Sequence, residues 1–314
     1  MKVAVTGGAG YIGSTLIKNI VNQGDKVVSV DNQSIGDYTP LRNVYGDRVK
    51  LIEGDIRDLS LLEEACKDCD SIAHLAALPG LVRCRDQPEE AVSVNIYGTH
   101  QVLETARRLD IRKVVFCSSA SVYGKPIEMP VTESHPTRPL NLYGVTKLAG
   151  EKLMDTYYDN YGIETVNLRF GNIYGVGLFT RYDTVIPKFV NQAINDMPLT
   201  IYGDGGYSRD FVHAEDITKA IMLSLSKQNI GGETFNVGGD TMTINQIADI
   251  VKKKVEELVG KKVEAINTEP RVGETKLFSY NLVKIRRLLG FTNDWNVEKG
   301  VKQIIGFRLK NPIS

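Results

Sequence analysis

Short apolar runs alternate with longer stretches of helical period through the first half of the chain: KVAVTG, then YIGSTLIKNIVNQG, KVVSVDN, LIEGDI, SLLEEACKD and DSIAHLAA. This rhythm predicts the strands of a parallel sheet joined by helical crossovers, since parallel neighbours cannot be linked by a tight hairpin. A fifth strand is expected over KVVFCSS (Lys113 to Ser119), fed by a helix that begins near Pro88 and runs past His100 and Leu103. Proline suits that start, because its missing N–H costs nothing in a first turn. A sixth strand, ETVNLRF, follows the helical segment YGVTKLAGEKLMDTYY. Strands apolar at consecutive positions are covered on both faces, so the expected architecture is a doubly wound α/β sheet with its ligands at the carboxyl ends of the strands.

Beyond about residue 175 the pattern loosens into VIPKFVNQAIND, a strand-like LTIYGDGG, a helix from Glu215, a strand ETFNVGG and the amphipathic INQIADIVKKKVEEL. In the last of these Ile244, Ile247, Val251, Val255 and Leu258 share one face, which leaves Lys252 to Lys254 on the solvated side. These pieces read as a smaller α/β lobe. The expected division is 1–175 for a dinucleotide-binding domain and 176–314 for a substrate lobe, with a boundary that the chain can cross more than once.

The 314 residues are 42% hydrophobic, ample for a core without staples. Lys plus Arg and Asp plus Glu are each 38, so no net field draws the protein to nucleic acid or an anionic membrane. Cys66 and Cys69 form a close pair, but Cys84 and Cys117 do not repeat the spacing, so the pair is read as structural and no metal site is expected. Met1 and Lys2 lead straight into a strand without a basic leader or a long apolar stretch, from which a cytoplasmic protein is expected.

Within TGGAGYIGS, Gly7, Gly10 and Gly13 lie directly between strand and helix, where a tight turn brings backbone close to a pyrophosphate at a helix N-terminus. Asp31 ends the second strand, about 20 residues on, where a carboxylate accepts from ribose hydroxyls and repels a 2′-phosphate. The pattern implies a Rossmann-type NAD site; its plainer alternative is a glycine turn in an unrelated α/β protein, with Asp31 as a helix cap. Asp55 and Ile56 after the third strand, and Ala76 and Ala77 after the fourth, are equally readable as flanks of the adenine, ribose and pyrophosphate or as ordinary structure.

Tyr143 and Lys147 stand four apart on a predicted helix, so their side chains share a face. A nearby ammonium stabilises phenolate and lowers a pKa that is ordinarily about 10. Tyr143 can then take a proton from an alcohol and return it to the ketone, with Lys147 also reaching the nicotinamide ribose and Ser119 bonding the same oxygen. A diphosphate would need cations, and the neutral chain supplies Arg209 in GGYSRDF and Arg271 in EPRVGE.

Taken together, TGGAGYIG, HLAA, FCSSASVYG, YGVTK, LRFGNIYG and GDGGYSRDFVHAEDI resemble the extended short-chain dehydrogenase/reductases that act on nucleotide sugars. The resemblance spans nearly the whole chain. It implies NAD as cofactor, with Tyr11, Ile12, Asn32, Leu75 and Phe170 added to its site. It further implies Asn172 beside the arginines at the phosphates, Glu274 near the nucleotide ribose, Ile186 and Tyr202 at the base, and Phe278 gating bulk at the sugar's 2-position. The related 4,6-dehydratases carry an Asp-Glu pair after a threonine, whereas here Ala120 and Ser121 follow Ser119; the decarboxylases place Glu where Ser121 stands. What remains most resembles the 4-epimerases of UDP-hexoses. UDP-N-acetylhexosamine and UDP-uronate epimerases, a decarboxylase or reductase, and an NAD-retaining binding protein are the alternatives. By analogy with these relatives a homodimer is expected, paired through the helix of Tyr143 and the helix beginning near Pro88.

Overall fold

The computed structural model describes residues 1–42, 45, 48–177, 182–270 and 276–311. In chain order the strands are β1 (Lys2–Thr6), β2 (Lys26–Asp31), β3 (Val49–Glu53), β4 (Ser71–His74), β5 (Lys113–Ser119) and β6 (Glu164–Phe170), then β7 (Asn172–Tyr174), β8 (Leu199–Tyr202), β9 (Ser208–His213), β10 (Glu233–Val237), β11 (Asp240–Thr243) and β12 (Ala265–Thr268). Seven of them form one sheet in the order β10-β6-β5-β4-β1-β2-β3, with every neighbouring pair parallel. The order reverses between β1 and β4, and such a reversal opens a crevice at the carboxyl ends of the strands.

Side chains alternate between two cores, as the period of two requires. On β5, Val115 and Cys117 join the core that also holds Leu16, Ile17, Ile217 and Ile221. Val114 and Phe116 face the other, with Leu62, Val102, Leu103 and Met154. Helices Tyr11–Asn22 and Ala214–Ser226 thus cover one face, and Leu59–Cys66, Thr99–Arg108 and Leu142–Tyr161 the other. All four cysteines are buried free thiols, and burial pushes Cys66 up to about 12, well away from a reactive thiolate.

ETFNVGG and the helix from Glu215, expected in the smaller lobe, lie with the main sheet instead: the strand joins it and the helix packs on its face. β10 pairs with β6 from Glu233↔Val166 to Val237↔Phe170. Phe235 and Val237 are fully buried, and the added strand satisfies backbone groups that β6 would otherwise present at an edge. Helix Ala214–Ser226 is tied to Tyr11–Asn22 through Lys18 and Asn19, which both donate to Glu215. The helix expected from Pro88 is divided into Pro88–Val92, a π turn at Ser93–Gly98 and Thr99–Arg108, and a further short helix, Leu81–Asp86, precedes it.

The smaller lobe sets helices Val185–Ile194, Ile244–Val259 and Val297–Lys310 around β8, β9, β11 and β12. Ile244–Val259 opens with a capping box between Thr243 and Gln246 and ends at Gly260 in the left-handed region. Its buried stripe is Ile247, Ala248, Val251 and Val255; Leu258, expected on that face, falls in the last turn and is 43% exposed. Among the described residues no helix is long and apolar enough to cross a membrane.

Candidate active site

β1 ends in a turn that glycine alone fits closely. Gly7 has a φ of +77°, and a Cβ there would stand 2.6 Å from Ala76 N. A Cβ on Gly13 would lie 2.1 Å from Gly7 O, so the first helix sits directly on the turn. That helix begins at Gly10 with no side-chain cap, which directs the positive end of its dipole at the turn. The carboxylate of Asp31 accepts from Ala9 N (3.0 Å) and Gln33 N (2.7 Å), so it braces the glycine turn as well as ending β2. Burial raises its pKa, and the two N–H bonds work against that rise. The half-buried Leu75, Ala76 and Ala77 follow β4 beside Gly7, with Ala76 N donating to Thr6 Oγ1. This backbone cradle, which a Cβ would fill, fits the pyrophosphate of a dinucleotide.

Other expected cofactor residues have structural partners. Asp55 is held by Arg57 at 2.6 and 2.9 Å, and those bonds lower its pKa; Arg57 reaches on to Glu90. Ile56 is 4% exposed, and its side chain lies in the core against Gly98. Asn32 is exposed and accepts from Ser34 N, and Phe170 is buried at the end of β6.

The helix Leu142–Tyr161 starts where Asn141 Oδ1 accepts from Gly144 N (2.9 Å) and stops at the left-handed Gly162. Tyr143 therefore stands in its first turn, half-buried, with Lys147 Nζ 6.0 Å from its ring centroid. Lys147 is 3% exposed, donates to Cys117 O (2.7 Å) and lies 4.8 Å from the Phe116 ring centroid. Burial draws its pKa down to about 8, close to working pH. Ser119 ends β5 and caps the turn Ala120–Val122, its Oγ accepting from Ser121 N at 3.2 Å. That turn abuts the helix: a Cβ on Gly144 would lie 2.5 Å from Ser121 O. Ser119, Tyr143 and Lys147 are thus gathered at the carboxyl end of β5, beside the crevice.

Two positions that the sequence reading missed fix this arrangement. Asn95, buried in the π turn, donates to Thr146 Oγ1 (3.0 Å) and Leu78 O (3.1 Å) and accepts from Leu78 N (2.7 Å), tying the loop after β4 to the Tyr143 helix. π turns gather at functional sites, but their sequences carry no mark of them. His74 is equally hidden. Thr99 Oγ1 donates to Asn95 O (2.7 Å) and so accepts from His74 Nε2–H (2.9 Å), leaving Nδ1 to accept from Thr6 (2.8 Å).

In the smaller lobe, β7 places the exposed Asn172 opposite Phe211 of β9, two residues after the half-buried Arg209. Arg209 Nη1 donates to Ser208 O, and its guanidinium lies 6.0 Å from the Tyr207 ring centroid. Tyr202 is half-buried at the end of β8 with Lys188 Nζ 5.3 Å from its ring centroid, a cation that sequence reasoning passed over. Ile186, expected at the base, is instead a fully buried core residue, because the first turn of its helix faces the lobe's interior. Phe278 is 7% exposed and packs edge-on against Tyr280 at 5.0 Å. Arg271 and Glu274 lie outside the described residues.

Known proteins resemble this chain over nearly its whole length. The family model for the NAD dependent epimerase/dehydratase family matches residues 3–238. A protein of Methanocaldococcus jannaschii named as a putative UDP-glucose 4-epimerase is 33% identical over 313 residues, covering 98% of this chain and 99% of that one. Among solved structures, a UDP-glucose 4-epimerase of Thermotoga maritima with UDP-glucose is 28% identical with a TM-score of 0.89, covering 99% of both chains. A UDP-glucuronic acid 4-epimerase of Bacillus cereus, in complex with UDP-glucuronic acid and NAD, is 30% identical with a TM-score of 0.88, again over 99% of both. The chain therefore belongs to the NAD dependent epimerase/dehydratase family, a nucleotide-sugar enzyme with NAD as its cofactor.

Proposed function

We propose that the protein interconverts the epimers of a UDP-hexose at carbon 4 through a transient 4-keto sugar. The observation that carries this reading is the pairing of an intact Ser119–Tyr143–Lys147 set with Ala120 and Ser121 in the turn where elimination would need an acidic pair. The set moves a proton, and the turn offers no carboxylate to expel water.

Gly7, Gly10, Tyr11, Ile12, Gly13 and Asp31 with Leu75, Ala76 and Ala77 would hold NAD, which when bound takes a hydride from carbon 4 and returns it. Tyr143 removes the proton of the 4-hydroxyl while Ser119 Oγ bonds the same oxygen. Lys147, buried and short of water, favours the phenolate form of its neighbour. Asn172, Arg209 and Arg271 anchor the diphosphate, with Tyr202 at the base. The keto sugar turns over while its nucleotide stays fixed, so that the opposite face of carbon 4 is presented to the returning hydride, and Tyr143 gives the proton back to the same oxygen. No net oxidation results. Exposed apolar side chains on the two helices, Val92, Tyr97, Val145, Tyr158 and Tyr161, support pairing of two copies.

The test is incubation of the purified protein, with and without added NAD, with UDP-glucose, UDP-galactose, UDP-N-acetylglucosamine, UDP-glucuronic acid and TDP-glucose. A 4-epimer of unchanged mass from a UDP-hexose supports the reading. A product lighter by water or carbon dioxide, or no turnover of any sugar, refutes it.

A further inference from the structure

Behind Ser119 and Lys147 lies an ion pair that the proposed chemistry does not use. Glu151 and Arg169 are 1% and 6% exposed. Arg169 donates to the carboxylate twice, Nε to Oε1 at 2.9 Å and Nη2 to Oε2 at 2.7 Å, and Ser118 Oγ donates to Oε1 at 2.5 Å. Arg169 Nη1 also donates to Tyr123 Oη (2.8 Å), which donates in turn to Asn236 Oδ1 (2.6 Å). We propose that the Glu151–Arg169 pair is a positioning device, holding the Ser119 turn and the Tyr143–Lys147 helix in one register and so setting the rate of proton transfer rather than substrate affinity.

The members of the network are placed for that role. Ser118 and Tyr123 bracket Ser119 and its turn; Glu151 lies one helical turn beyond Lys147; Arg169 is opposite Ser118 on β6, and Asn236 opposite Arg169 on β10. A bidentate fork fixes direction as well as distance. Stability alone does not call for it, because well-packed apolar residues often serve a buried position as well as an ion pair. Lys147 is faced by Cys117 and Phe116 of β5, Cys84 of helix Leu81–Asp86, His74 of β4, and Tyr143 and Glu151 of its own helix. Glu151 is the carboxylate among these groups, and its charge favours the ammonium form of Lys147.

The inference rests on the catalytic reading of Ser119, Tyr143 and Lys147. Its test compares wild type with the paired variant Glu151→Met/Arg169→Leu and with Glu151→Gln, measuring melting temperature, sugar affinity by calorimetry and the single-turnover rate at which the nucleotide sugar reduces NAD. The paired variant is expected to fold, to bind sugar within about twofold of wild type and to reduce NAD about 10- to 100-fold more slowly. In Glu151→Gln the alkaline limb of the rate profile is expected to move to lower pH. A folded paired variant with the wild-type rate overturns the proposal. Should that variant not fold, an unshifted profile in Glu151→Gln overturns it equally. NAD reduction precedes product formation, so a product other than an epimer would refute the epimerase reading and leave this test standing. A wild type that reduces no NAD with any sugar overturns both.

Discussion

Replacing Gly144 by alanine tests how closely the turn after β5 must approach the Tyr143 helix. A Cβ there would stand 2.5 Å from Ser121 O, 2.9 Å from Pro139 Cβ and 3.0 Å from Ser121 C. A backbone oxygen has no rotamer by which to escape, so the helix start and the turn must part. An ordinary C–H···O contact needs about 3.3 Å, which against the present 2.5 Å means an opening of about 0.8 Å. Two effects on stability oppose one another: alanine gains about 1 kcal/mol of helix propensity, and overpacking costs about 1–3 kcal/mol. The expected net loss is about 0–2 kcal/mol, a modest fall in melting temperature. Catalysis has no such compensation, because the opening lies between Ser119 and Tyr143. A misplacement of about 1 Å costs on the order of 100-fold in rate, so kcat is expected to fall about 10- to 100-fold with KM little changed. Steady-state kinetics beside a thermal melt would show it. A kcat within about threefold of wild type, in a protein of near-normal stability, would refute the claim that this contact sets the spacing.

Tyr143→Phe removes only the phenolic oxygen and is expected to lower turnover by about 10²- to 10⁴-fold while calorimetry still finds the sugar bound; near-normal activity excludes Tyr143 as the acid–base group. Asp31→Asn is expected to weaken NAD by about tenfold or more, since bonds to a charged group contribute about 1.5–3 kcal/mol, and to narrow the preference over NADP. Unchanged fluorescence titrations with both dinucleotides would dismiss that role. His74 is buried and neutral, its pKa lowered from 6.5 to about 3 by burial first and the Lys147 charge second. Its folded pKa lies below its unfolded one, so the unfolded chain binds the extra proton, and stability present above pH 6.5 is lost as pH falls from 6.5 toward 3. The loss reaches about 5 kcal/mol at most. Urea titrations of wild type and His74→Gln across that range isolate the effect from the carboxylates, and parallel curves would disprove it.

What the sequence disclosed depended on the range of the interactions involved. Strands β1 to β6, the glycine turn and the Tyr143–Lys147 spacing are local patterns, and each can be read from fewer than about 20 consecutive residues. The place of β10 is not legible locally, because ETFNV has the same alternation wherever it pairs; only β6, far back in the chain, decides its sheet. Ile186 is ambiguous in sequence for a related reason, since an apolar residue suits a core or a cleft wall alike until the helix is docked. Asn95, Glu151 and Arg169 passed unnoticed because their weight lies in partners 17 to 51 residues distant, and no spacing rule connects them.

The return of the chain to its first sheet bears on autonomy. A fragment ending at residue 175 would keep the glycine turn, Asp31, Tyr143 and Lys147, but would lose β10 from the flank of β6 and helix Ala214–Ser226 from above Leu16 and Ile17. Such a piece would present a bare strand border and a stripped apolar wall, and would sooner clump than fold. Residues 214–237 therefore belong with the first 175 in any fragment meant to fold. A chimera that exchanges the outer lobe must accordingly leave β10 and helix Ala214–Ser226 in place.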